Sequence, residues 1–220
     1  MQLSEVVRPQ VHDLLQLDPA GLQPACIDAP TWVGQALASC SWVVVRRAQA
    51  PTGQIPVGVR GCSRSERWGC FVSTDLIRRV VSLVELLAMA RSAAPNLRTP
   101  PFQVLQQLVE RWCDLSLPWG PTGSVGFELG TGRQTTTNFS DLDIAIRAEV
   151  RISVEQARLL WERALGLQTK VDVRVETLEC GFSLEEYART PSPILLRYPG
   201  GVQFGRDPWA KALQAVEGVE

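Results

Sequence analysis

Three aspartates carry the chemistry this sequence offers. Asp141 and Asp143 stand in Ser140-Asp141-Leu142-Asp143, and Asp172 stands in Val171-Asp172-Val173. Leu142, Ile144 and Ile146 alternate with Asp141, Asp143 and Ala145, the pattern of a strand whose successive side chains face opposite ways. Asp141 and Asp143 then share one face, on the order of 6.5 Å apart. Val171, Val173 and Val175 alternate with Asp172, Arg174 and Glu176, which gives a second strand with Asp172 on its polar face. If the two strands are neighbours, the three carboxylates meet. Carboxylates gathered this closely repel unless cations neutralise them. Hard divalent ions with oxygen ligands, above all Mg²⁺, suit such a set. Two such ions can clamp an in-line phosphoryl or nucleotidyl displacement, one activating an attacking hydroxyl and the other steadying the leaving pyrophosphate. The sequence therefore predicts Asp141, Asp143 and Asp172 as catalytic residues and as ligands of two Mg²⁺ ions.

Upstream, Trp119-Gly120-Pro121-Thr122-Gly123-Ser124 reads as a turn that opens a helix. A helix N-terminus presents free N–H groups to a phosphate. Gly123 permits close backbone approach, the Ser124 hydroxyl adds a hydrogen-bond donor, and Arg133 offers a guanidinium to the same triphosphate. Singly, each signal is weak. An Asp-x-Asp on a strand is usually a solvated polar face, and Asp172 alone could pair with Arg174. The order Gly-Ser, Asp-x-Asp, then Val-Asp-Val is far more specific than its parts.

These residues need elements to position them. Ser153-Val154-Glu155-Gln156 fits a capping box and opens a helix to about Leu165, so the two aspartate strands flank a helix. Ser183-Leu184-Glu185-Glu186 fits a second capping box. Earlier, residues 40–47 and 55–60 read as strands around the turn signal Pro51-Thr52-Gly53, with Pro56 limiting the second strand to a sheet edge. Residues 75–92 carry helical spacing with Thr74 as N-cap, and a further helix is expected over 101–114. The resulting fold class is α+β: a small β-containing N-terminal module, residues 1–72, precedes a catalytic domain, residues 73–220, whose mixed sheet is covered by helices.

Composition sets bounds. The 220 residues carry a formal net charge of -1, so no whole-protein attraction to nucleic acid is expected and any phosphate site is local. The polar N-terminus has no secretory signal pattern. The most apolar helical stretch, residues 80–90, is interrupted by Glu85 and is too short for a bilayer of roughly 30 Å. A soluble protein with no membrane partner is expected. The six cysteines form no Cys-x-x-Cys pair, and His12 is the single histidine, which argues against zinc and for reduced thiols. The seven tryptophans are expected to fill core or domain interface.

At the Gly-Ser turn and the aspartates the chain resembles the nucleotidyltransferase superfamily that includes DNA polymerase β and the aminoglycoside nucleotidyltransferases. Its segment from Gly123 to Asp141 is longer than usual there, so residues 130–139 read either as a substrate-contacting insertion or as a flexible surface loop. A resemblance over nearly the whole chain is to the phosphoribosyl-dephospho-CoA transferase family, the malonate decarboxylase holo-acyl-carrier-protein synthases. It rests on His12-Asp13-Leu14-Leu15, Val57-Gly58-Val59-Arg60-Gly61 with Arg64 and Arg67, Gly123 to Glu128, the two aspartate motifs and Asp207-Pro208-Trp209. The resemblance implies a cytoplasmic bacterial transferase. Its donor would be 2'-(5''-triphosphoribosyl)-3'-dephospho-CoA and its acceptor a serine of the malonate decarboxylase acyl carrier protein. Such a carrier must reach the metals, so a cleft between the two modules, with residues from both, is expected. Gly123 and Ser124 would hold the β- and γ-phosphates, and Asp172 would take the serine proton. Arg60, Arg64 and Arg67 would contact the donor phosphates or an acidic carrier, although their spacing also fits a solvated loop. His12-Asp13 fits a local cap or turn as well as a catalytic role. The rival readings are a nucleotidyltransferase with another small-molecule or protein acceptor, and a non-catalytic binding domain of the same fold.

Overall fold

In the computed structural model, residues 8–18, 29–63, 65–92, 99–189 and 193–210 are described. Two sheets dominate. The first is five-stranded, in the order β4-β3-β2-β1-β5. It is built from β1 (Leu14–Leu17), β2 (Trp42–Val45), β3 (Gln54–Arg60), β4 (Arg67–Ser73) and β5 (Ile77–Val81). All its pairings are antiparallel. Helix α1 (Thr31–Ser39) buries Val33 and Ala36 in a core with Leu15, Leu17, Val43, Val57 and Val59. Alternate residues of β3 are buried, the pattern of a sheet with one face on a core.

The second sheet is six-stranded, in the order β11-β10-β9-β8-β7-β6. It comprises β6 (Trp119–Pro121), β7 (Leu142–Arg147), β8 (Val171–Glu176), β9 (Gly181–Ser183), β10 (Ile194–Tyr198) and β11 (Gly201–Gly205). Only β7 and β8 pair in parallel; the other pairings are antiparallel. Helices α2 (Leu83–Ser92), α3 (Pro100–Arg111), α4 (Gly123–Thr131), α5 (Val154–Ala164) and α6 (Leu184–Ala188) accompany this half. Its core joins Leu105, Leu108, Ile144, Ile146 and Phe182. Trp112 and Trp119 meet edge to face within it, with centroids 5.0 Å apart, and Trp209 packs against Phe182 and Tyr187. The mixed α+β class, with helices on the second sheet, is as the sequence predicts.

Local expectations fare unevenly. The capping box at Ser153 forms in full, and α5 connects the parallel strands β7 and β8 as a crossover helix. At Ser183 the hydroxyl accepts from the Glu186 N–H, while the Glu186 carboxylate accepts instead from the Leu195 N–H at 3.1 Å. Residues 75–92 are not one helix. Residues 77–81 form β5, paired along β1, and α2 starts only after Ser82. The true cap is Ser82, whose Oγ accepts from the Glu85 N–H at 3.2 Å while Glu85 accepts from the Ser82 N–H at 2.8 Å. The first sheet thus carries the chain to Val81.

Pro56 does not make β3 an edge strand, since β3 lies between β4 and β2. The Pro56 carbonyl accepts from the Arg46 N–H at 2.8 Å, so its nitrogen faces the β2 side. The β2 ladder covers only Val57 and Gly58, and the missing N–H lies just beyond its end. The five described cysteines are free thiols; Cys26 lies outside the described residues. Among the described residues no helix is long and apolar enough to cross a membrane.

Candidate active site

A cleft of about 1070 Å³ lies between the two sheets and is lined from both. From the second sheet come Asp141, Asp143 and Asp172, with Gly123 and Ser124 at the start of α4. From the first come Arg60, Arg67 and Arg46, and Arg133 joins them from the loop after α4. Arg64 lies outside the described residues.

Parallel pairing of β7 and β8 brings the aspartates together. Asp143 and Asp172 are register partners, and both face the cleft. Like charges directly opposite on a sheet cost stability, so this pair must be offset by something else. The donor set is all carboxylate oxygen, the chemistry that hard divalent cations select. Among the described residues no three His, Cys, Asp or Glu side chains are gathered as a metal-ligand group.

Strand β6 delivers the turn. The Thr122 N–H donates to the Asp143 carbonyl at 2.8 Å, which ties the start of α4 to the aspartate strand. Gly123 then adopts φ +57°, and a Cβ there would collide with the Asp143 carboxylate. Only glycine combines that backbone conformation with that approach. Thr122 places no side-chain bond on the first turn of α4, so the orphan N–H groups there are not used by a cap.

The loop after α4 is fastened down. The Glu128 carboxylate accepts from the Thr135 N–H at 2.9 Å, the Thr136 N–H at 2.8 Å and the Thr136 hydroxyl at 2.7 Å. Thr135 Oγ1 donates to the Ser124 carbonyl at 2.8 Å. These bonds tie residues 135 and 136 of the 130–139 segment to α4. Arg133 donates to Ser39 Oγ at 3.1 Å and to Cys62 Sγ at 3.4 Å, so it bridges to the first sheet's half. Arg67 donates to the Ser63 and Glu66 carbonyls at 3.3 and 2.9 Å. The Arg60 guanidinium lies 5.6 Å from the Phe127 ring centroid.

Sequence reasoning left His12 and Asp13 open, and their partners settle their surroundings. Asp13, with a side chain 2% exposed, meets Arg147 at 2.6 Å and accepts from the Gln10 N–H at 2.8 Å. His12 contacts Glu176 Oε1 at 2.8 Å, and Arg47 reaches Glu176 Oε2 at 2.6 Å. His12 sits at φ +74°, a conformation that costs a non-glycine residue on the order of 1 kcal/mol. Its N–H donates to the Val45 carbonyl at 3.0 Å, so both ends of the residue are held. Burial pushes the Glu176 carboxyl up, but the His12 hydrogen bond and charge and the Arg47 guanidinium outweigh it and leave it below the ordinary value. Segment 10–13 and Arg47 thus clasp the first half to the far end of β7 and β8. At the C-terminal end, Asp207 pairs with Arg151 at 2.6 Å and Trp209 Nε1 donates to the Ala148 carbonyl at 2.8 Å.

Comparison with known proteins places the chain. The family model of the phosphoribosyl-dephospho-CoA transferase MdcG N-terminal domain matches residues 10–83. That of the MdcG C-terminal domain matches residues 85–208. A phosphoribosyl-dephospho-CoA transferase of Pseudomonas putida is 35% identical over 202 residues, 92% of this chain and 96% of its own. One of Pseudomonas fluorescens (strain Pf0-1) is 38% identical over 212 residues, 94% and 98%. One of Azotobacter vinelandii is 34% identical over 204 residues, 91% and 94%. No solved structure matches. The two matched segments meet in the first turn of α2, just after the first sheet ends at Val81. The chain is a transferase enzyme and belongs to the MdcG family of phosphoribosyl-dephospho-CoA transferases.

Proposed function

We propose that this enzyme attaches the phosphoribosyl-dephospho-CoA group to a serine of the malonate decarboxylase acyl carrier protein, with 2'-(5''-triphosphoribosyl)-3'-dephospho-CoA as donor. The observation that carries the reading is the cleft itself. It combines the opposed Asp143 and Asp172, the Gly123–Ser124 turn and arginines of the first sheet's half in one space. Asp141, Asp143 and Asp172 hold two Mg²⁺ ions, which when bound neutralise charge on the polyphosphate. Gly123 and Ser124 receive the β- and γ-phosphates through the first turn of α4, and Arg133 borders the same anion. The carrier's serine oxygen bonds to the α-phosphorus, the bridge to the β-phosphate breaks, and pyrophosphate leaves. Asp172 takes the serine proton. The carrier keeps the group by a phosphodiester, and the reaction runs in the cytoplasm.

The test is a transfer assay with Mg²⁺, the donor and purified apo carrier subunit, read by intact mass. The expected result is a mass gain of one phosphoribosyl-dephospho-CoA, lost on chelation and in Asp141→Ala. A folded protein that leaves the carrier mass unchanged would send the same chemistry to another acceptor.

A further inference from the structure

The two residues after β2, Arg46 and Arg47, meet different partners. Arg47 is consumed by Glu176, at 2.6 Å. Arg46 lies across Gly58 and Gly69, which are register partners in β3 and β4. A Cβ on Gly58 would come within 3.3 Å of Arg46 Cδ, and one on Gly69 would overlap Nη1 and stand 2.6 Å from Cζ. The two glycines form a floor shaped for this one side chain, since glycine inside a strand marks a close approach. Among the described residues the Arg46 guanidinium makes no hydrogen bond or ion pair, whereas Arg67 and Arg133 beside it are engaged. Arg46 borders both the aspartate cleft and a second cavity of about 680 Å³, lined in part by Arg8, Ile55 and Leu178. The His12–Glu176 contact stands between the two spaces, with His12 lining one and Glu176 the other.

We infer that Arg46, fixed on the Gly58–Gly69 floor, is a phosphate-binding residue at the junction of the two cavities. A planar guanidinium already laid in place loses little freedom on gripping a phosphate, and lysine cannot reproduce its fork. The inference rests on the reading of the donor as a polyphosphorylated dephospho-CoA derivative. Such a donor offers the same chemistry twice, in its triphosphate and in the diphosphate of its dephospho-CoA part.

Isothermal titration tests it with two probes, inorganic triphosphate and dephospho-CoA. The proteins are wild type, Arg46→Ala, Arg46→Lys, Gly69→Ala and the Arg46→Ala/Gly69→Ala double variant, each checked for its fold by circular dichroism. At least one probe is expected to bind Arg46→Ala about tenfold more weakly or worse, and the probe affected identifies the phosphate gripped. Arg46→Lys should recover little. Gly69→Ala should weaken the same probe, and the double variant should be no worse than Arg46→Ala, because both changes remove one contact. Both probes binding Arg46→Ala within about twofold of wild type would overturn the inference, as would a wild type that binds neither. These readouts do not involve the carrier, so an unmodified carrier in the transfer assay leaves them standing. Normal transfer by Arg46→Ala with unchanged donor KM would sink Arg46 and spare the proposed reaction.

Discussion

The parallel strands β7 and β8 end in opposite ways. At one end Asp143 faces Asp172; four residues on, Arg147 faces Glu176. The first pair has like charge and opens onto the cleft. The second has opposite charge and is enclosed, with side chains 14% and 9% exposed, and each member is gripped by the first half of the chain through Asp13, His12 and Arg47. A like pair opposed on a sheet works against folding. A buried cation–anion cluster, once formed, is costly to break. The same two strands thus carry a like-charged pair open to the cleft at one end and an enclosed clasp at the other; on the proposed function the first serves chemistry and the second assembly.

The sharpest way to break that contrast is to remove one charge at each end. Asp143→Ala and Asp172→Ala should each lower transfer by about a thousandfold or more, the scale of losing an essential group. Their urea midpoints should change far less than that of Glu176→Ala, because this pair opens onto the cleft. A midpoint lowered as far would place these aspartates with the clasp instead. Glu176→Ala should do the reverse and cost about 3 kcal/mol in urea unfolding, since it leaves Arg47 with a buried charge unmatched. Asp13→Ala should behave alike through Arg147.

Gly123→Ala sharpens the open end. It forces a side chain onto the Asp143 carboxylate in a left-handed backbone, so transfer should fall about a hundredfold, or roughly 2.7 kcal/mol of barrier, with a smaller loss of stability. The closed end has a pH signature. The folded Glu176 carboxyl lies below its ordinary value of 4.5. Its contribution is therefore complete above that value and is lost as the pH falls through the lower folded one. The stability gap between wild type and Glu176→Gln should shrink over that acidic window; a constant gap would remove Glu176 from the clasp's charge balance. The smallest effect belongs to the exposed pair Arg189–Glu185, with side chains 63% and 47% exposed. Glu185→Ala should cost no more than about 0.5 kcal/mol.

What could be read from the sequence follows from contact distance along the chain. The aspartate strands and the helix between them were legible because alternation and the Ser153 box are local signals. Strand β5 was not. Ile77, Val80 and Val84 fit helical spacing, and what makes residues 77–81 a strand is β1, some sixty positions earlier. The hairpin of β10 and β11 had a usable signal in Pro199-Gly200-Gly201. Helix α1 had little, since its N-cap Pro30 supplies no side-chain bond. His12 and Asp13 were unreadable as a clasp because their partners stand 164 and 134 residues away. The spacing of Arg46, Gly58 and Gly69 likewise says nothing until β2, β3 and β4 are laid side by side.

The clasp also sets an order of events during synthesis. The first sheet is complete once Val81 has emerged, yet Asp13 waits for Arg147, and His12 and Arg47 wait for Glu176. Halves of a nascent chain tend to fold in turn from the N-terminus, so the first half must stand for a time with its segment 10–13 not yet bonded to the second. The aspartate cleft, walled from both halves, therefore comes into being only when translation has passed β8, and a ribosome-stalled chain ending before Glu176 carries Asp141 and Asp143 without an enclosed site.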